Sequence, residues 1–155
     1  MNMKRVGLSA VRMGVLVSVG LLTVEKGFTE EQHAMRCTLD TLKGRYLYAL
    51  TGTAFPPAAG VTEESAAARA GSRIFYGDGT GTTIATTSVN GVIIAADLHS
   101  DLSYTVNADC TGTLDVLSAG AHQEIFIAPN GDEMTVIETD PGHVAAYSSR
   151  RVGPE

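Results

Sequence analysis

Turn-forming clusters punctuate the second half of this chain at nearly even spacing: Ser88-Val89-Asn90-Gly91, His99-Ser100-Asp101, Asn107-Ala108-Asp109-Cys110, Pro129-Asn130-Gly131-Asp132 and Asp140-Pro141-Gly142. Between them run short segments rich in Val, Ile, Thr, Tyr and Phe, and Asn-Gly supplies the positive φ angles of a tight hairpin. The pattern predicts an antiparallel meander. A meander this long either packs into two sheets or closes on itself, and closure alone removes both unpaired edges. The expected fold is all-β: a closed or nearly closed antiparallel up-and-down β-barrel of about 8–9 strands, with an N-terminal apolar segment and one short helix or flap.

The expected strands are 44–51, 73–76, 80–89, 92–98, 102–107, 111–117, 122–128, 133–139 and 143–151. Thr62 to Arg69 reads differently, because a capping threonine, two glutamates and three alanines precede Gly71; that order predicts a short surface helix or flap. Alternation places Tyr48, Val92, Ile94, Tyr104, Val106, Ile125, Ile127 and Val136 on inward faces.

Residues 1–36 differ in character from the barrel domain expected over 37–155. Lys4, Arg5 and Arg12 precede an apolar run from Met13 to Val24, the length of a signal-peptide core and short of the ~20 residues a spanning helix needs. This predicts no stable membrane span. A cleaved segment implies an exported (periplasmic or extracellular) protein; a retained one, lying over a barrel mouth as a lid, implies a cytoplasmic one. Cys37 and Cys110 are the two cysteines, and in an exported chain they have one possible pairing, a disulfide. In a cytosolic chain they are two unrelated thiols.

Composition narrows the function classes. Eleven Lys+Arg against 17 Asp+Glu give a net charge of -6 with no basic stripe, which argues against a nucleic-acid partner. Gly77-Asp78-Gly79-Thr80-Gly81 lacks the Lys-Ser/Thr ending of a phosphate loop and opens no helix, so it reads as a hairpin. Asn130-Gly131-Asp132 lacks the alternating ligands of a calcium loop. His33, His99, His122 and His143 form no metal-ligand spacing and no triad. No metal and no cofactor is expected.

Gly44-Arg45-Tyr46 on the first strand, with Arg150-Arg151 on the last, resembles the calycin pattern, in which lipocalins place G-x-W on the first strand and a late basic residue at one barrel end. The run from Tyr104 to Thr113, Ile137 to Gly142 and the upstream Cys37 resemble a group of small bacterial exported proteins. At fold level the chain also resembles the allene oxide cyclase-like barrels, some of which are cofactor-free cyclases of secondary metabolism, including [4+2] cyclases of polyketides. The resemblance implies a small barrel and carries over no catalytic residue.

Two functions follow. In one, the barrel is a cofactor-independent cyclase or isomerase that orients a hydrophobic, polyketide-like substrate, chemistry that leaves almost no motif. Glu138, on one face with Met134 and Val136, together with Tyr104 and Tyr48, is the expected catalytic set, because a buried acid or phenol can donate a hydrogen bond to a substrate carbonyl. Arg73, Tyr46, Phe126, Val136 and Met134 are the expected substrate contacts. In the other, the barrel is an exported lipocalin-like binding or structural protein without catalytic activity. Both imply a hydrophobic small molecule as partner, and exposed sheet surface admits a homodimer.

Overall fold

The computed structural model describes residues 36–58 and 61–153. The signal-like or lid segment expected over residues 1–36 falls, up to residue 35, outside the described residues. A single 3-10 turn, Leu39–Thr41, leads into eight strands: β1 Lys43–Ala54, β2 Ser65–Tyr76, β3 Thr80–Val89, β4 Val92–Tyr104, β5 Thr111–Val116, β6 Ala121–Ile127, β7 Glu133–Glu138 and β8 His143–Arg151. Each pairs antiparallel with its neighbour in sequence, and β8 returns to β1 to close the barrel. No helix among the described residues is long and apolar enough to cross a membrane.

Local chemistry explains the hairpins. Asn90 and Gly91 both hold positive φ, 48° and 81°, as the two central residues of a type I′ turn must. Closure follows from the β1–β8 register, in which Tyr46 faces Arg151, Tyr48 faces Ser149 and Gly52 faces Ala145. Inward and outward residues then alternate along the paired lengths of the strands, as they do on β1, β6 and the second half of β2.

Two expected elements of secondary structure differ from those observed. The alanine-rich stretch expected as a short surface helix or flap enters the first half of β2, where Ala67 pairs with Gly52 on one side and Val89 on the other. Helix propensity amounts to a few tenths of a kcal/mol per residue, and two complete ladders of hydrogen bonds outweigh it. His99-Ser100-Asp101 is no turn, because β4 runs through it unbroken. That merges two expected strands into one and leaves eight.

The same long strand explains why Val92 and Ile94 lie mostly exposed rather than inside. β4 pairs with β5 only from Leu102 to Tyr104, so its first half rises past the rim. The β3–β4 ladder also shifts register near Thr87, and Asp97 has φ of 49°, a bulge that interrupts the alternation. Tyr48, Tyr104, Ile125, Ile127 and Val136 are buried and Val106 packs against the core they form.

The barrel's lower end is solid. Leu42, Tyr46, Phe75, Leu102, Leu114, Ile125, Met134 and Val136 are almost wholly excluded from solvent, with the Phe75 ring edge-on to both Tyr46 and Tyr104. The Tyr46 hydroxyl donates to the Gly131 carbonyl and accepts from Arg151 Nε at 3.1 Å. Arg151 also donates to the Thr41 carbonyl, tying the last strand to the entry turn. Burial pushes the Tyr46 phenol above its ordinary pKa despite the guanidinium beside it. Cys37 and Cys110 are bonded, with Cα atoms 5.0 Å apart, and fasten that entry turn to the β4–β5 hairpin.

Two stability predictions arise here. Replacing both cysteines by serine should cost about 4 kcal/mol, the chain-entropy value for a loop this long, measured by urea unfolding. Tyr46→Phe should cost about 1–3 kcal/mol, because it leaves Arg151 short of a buried partner.

Candidate functional site

The upper half of the barrel is hollow because many of its inward positions carry little or no side chain. Gly52, Ala54, Ala67, Ala121 and Ala145 occupy places that Tyr46, Phe75, Ile125 and Val136 fill lower down. An eight-stranded barrel is just wide enough for ordinary side chains to fill, so small ones leave space. A cup of about 350 Å³ results, open at the rim. Pro57, Ala58 and Val61 edge it on one side and Ile94 on another. Gly52 is obligatory there, since a Cβ on it would run into the Val144 carbonyl and the Ala145 side chain.

A polar layer divides cup from core. Arg73 projects inward from β2, only 1% exposed, and reaches across the barrel. Its Nη2 donates to Gln123 Oε1 at 3.0 Å and to the Tyr147 hydroxyl at 2.6 Å. Tyr147 in turn donates to Gln123 Oε1 at 3.0 Å. The guanidinium lies 4.2 Å from the centre of the Tyr48 ring, a cation–π contact that offsets part of its desolvation. Burial raises the Tyr147 phenol's pKa, against the opposing pull of Arg73. Arg73 Nε and Nη1 have no hydrogen-bond partner among the described residues.

Gln123 passes this layer on to the cup. Its Nε2 donates to Glu138 Oε1 at 2.7 Å, and Glu138 lines the cup with Leu50 and Arg69. Arg69 stands four residues before Arg73 on β2, and its Nε donates to Thr87 Oγ1 at 2.9 Å. At the rim, Asp140 accepts from the His122 amide and pairs with its ring Nδ1 at 2.8 Å. Among the described residues no group of three or more His, Cys, Asp or Glu is placed to hold a metal ion.

Of the residues expected to carry chemistry, Glu138 alone lines the cup. Tyr104 sits at the solid end, donating to the Leu39 or Leu42 carbonyl and accepting from the Gly77 amide at 3.0 Å. It fastens the entry turn. Tyr48 lies under Arg73, and Arg73 belongs to the polar layer. Tyr46, Met134 and Val136 are parts of the packed core. Phe126 points outward, 51% exposed, because inward residues on β6 are Gln123, Ile125 and Ile127. The expected trio of Glu138, Tyr104 and Tyr48 therefore does not converge.

Sequence reasoning missed Arg69, Gln123, Tyr147 and the small inward residues. The signal for Tyr147 and Gln123 lay in alternation with Ser149 and Ile125. Arg69 was hidden by the helical reading of its segment. No protein-family model, no curated protein and no solved structure matches this chain.

The rim pair makes a pH prediction. The Asp140 carboxylate raises the His122 pKa above the ordinary value. Burial opposes charge on Asp140, yet the His122 amide and ring and the nearby His143 together hold its carboxyl below the usual range. The histidine's share of the pair is full below pH ~6.5 and fades as pH rises through the raised value; the aspartate's share fades as pH falls through the lowered one. An NMR titration should show His122 protonating above its ordinary range, and Asp140→Asn should return it there.

Proposed function

We propose that this chain is a ligand-enclosing barrel that receives a small, largely apolar molecule in its open cup. One observation carries the reading: the inward face changes from large to small residues halfway up, while the strands and their hydrogen bonds continue. A barrel built for stability alone gains about 2–5 kcal/mol for each such position filled by a large aliphatic side chain. The cup lies at the lower end of the volume range of small-molecule sites, with apolar walls and few polar groups. Arg151 against Tyr46 at the opposite end supports a calycin-like mode of closure.

The disulfide suits an oxidising compartment, and with a signal-like N-terminal segment it supports an exported, lipocalin-like binding protein. A second reading, a cofactor-free cyclase or isomerase, rests on Glu138, whose carboxyl meets the cup. The separation of Tyr104 from Glu138 favours binding over catalysis, because polarising a carbonyl requires donors gathered around one substrate atom.

Fluorescence of the neutral probe N-phenyl-1-naphthylamine should rise on mixing with the oxidised protein. Ala145→Leu should abolish that rise. Its melting temperature should hold or increase, since three added carbons enter empty space at about 0.8 kcal/mol each. A variant that still takes up the probe would place binding outside the cup. For the second reading, turnover of a candidate polyene should fall roughly 10²-fold in Glu138→Gln.

A further inference from the structure

We infer that the cup selects a ligand with a single negative charge, an aliphatic monocarboxylate whose head meets Arg69 and whose chain lies along the alanine-lined wall. This rests on the cup being a binding site. Charge accounting inside the barrel leads to it. The ionisable groups facing the cup are Arg69, Glu138, Asp140 and His143, with Arg73 beneath the floor.

Three of these charges already have counterparts. Arg73 is joined to Glu138 through Gln123, by contacts of 3.0 Å and 2.7 Å. Asp140 is engaged by the His122 amide and ring at the rim. His143 stands at the mouth, opposite Ala54, and is exposed to water. That leaves Arg69. Its Nε is taken by Thr87, while neither of its Nη atoms donates to a described residue and no carboxylate among the described residues lies within ion-pair distance.

Position makes this cation selective. Arg69 is partly buried on the inward face of β2, between Ala67 and Gly71, so neither inward neighbour fills the space beside its guanidinium. Leu50 is opposite it on β1. The surrounding wall is apolar, which weakens competition from water and strengthens a charge-assisted pair. A guanidinium whose Nε is anchored presents its remaining donors in a fixed direction, a geometry matched to a carboxylate. Glu138 lies across the cup and disfavours a second negative charge, which is why a monoanion is favoured over a dianion.

The test compares decanoate with decan-1-ol, each displacing N-phenyl-1-naphthylamine from the oxidised whole chain at pH 7.5 and low salt. Decanoate should bind at least ~10-fold tighter than the alcohol. Arg69→Met should bring the acid-to-alcohol ratio close to one, and Arg69→Lys should restore part of it. Equal affinity of acid and alcohol in the wild type would overturn the inference and leave the cup reading standing. Failure of the neutral probe itself to bind would remove the cup reading, and the inference with it. A preference for decanoate that survives in a folded Arg69→Met, checked by circular dichroism, would also overturn the assignment to Arg69.

Discussion

A guanidinium held inside a β-barrel sets the terms for everything around it. Taking an unpaired cation out of water costs several kcal/mol even after relaxation; Arg73 Nε and Nη1 stay without a hydrogen-bond partner among the described residues, and the rest of the guanidinium relies on groups that restore part of what hydration supplied. The barrel provides them from four strands: the Tyr48 ring from β1, Gln123 from β6, Glu138 through Gln123 from β7, and the Tyr147 hydroxyl from β8. No two of these are close in sequence except by strand pairing. The layer forms only when the barrel has closed in the observed register, and a slip of one residue would turn Arg73 outward and its partners with it.

Below that layer the barrel behaves as an ordinary core. Aromatic and aliphatic side chains interdigitate, edge-to-face rings link Tyr46, Phe75 and Tyr104, and the few polar atoms are satisfied by Arg151, Gly131 and the entry turn. Above it, many interior positions shrink to glycine and alanine, and the few larger side chains there, Leu50, Arg69 and Glu138 among them, leave the cup open. Rigidity is thus concentrated at one end. The cup inherits its shape from strands that are fastened below, so it needs no filling of its own to keep its walls apart. The cost is stability forgone at each small residue, and the disulfide at the fastened end offsets part of it.

The fold was legible to the degree that turn chemistry and alternation coincide. Asn90-Gly91, Asn107 to Cys110 and Asp140 to Gly142 mark true hairpins, and strands β5 to β8 fall close to where period-two alternation predicts them. Legibility failed where local preference and tertiary pairing disagree. Ser65 to Arg69 has the composition of a helix and the environment of a strand, and His99 to Asp101 has the composition of a turn inside a continuous ladder. The site suffered twice from this. Reading β2 as a helix removed Arg69 from the interior, and single-strand alternation gave no indication that Tyr104 and Glu138 lie at opposite ends. Only the antiparallel register across neighbouring strands sets height along the barrel axis, and that information is non-local.

The division into core, polar layer and cup also explains how one glutamate can meet two demands. Glu138 faces the cup, yet its Oε1 is held by Gln123, and through that amide it is the anion nearest in connection to a buried cation. A carboxyl whose Oε1 already accepts from an amide has part of its hydrogen-bonding capacity committed, which leaves less of it free for a substrate. In the proposed binding function it serves as an electrostatic wall beside the apolar lining of the cup. The hydrogen bond that ties Glu138 to the floor of the barrel therefore links the polar layer to the proposed binding role of the cup.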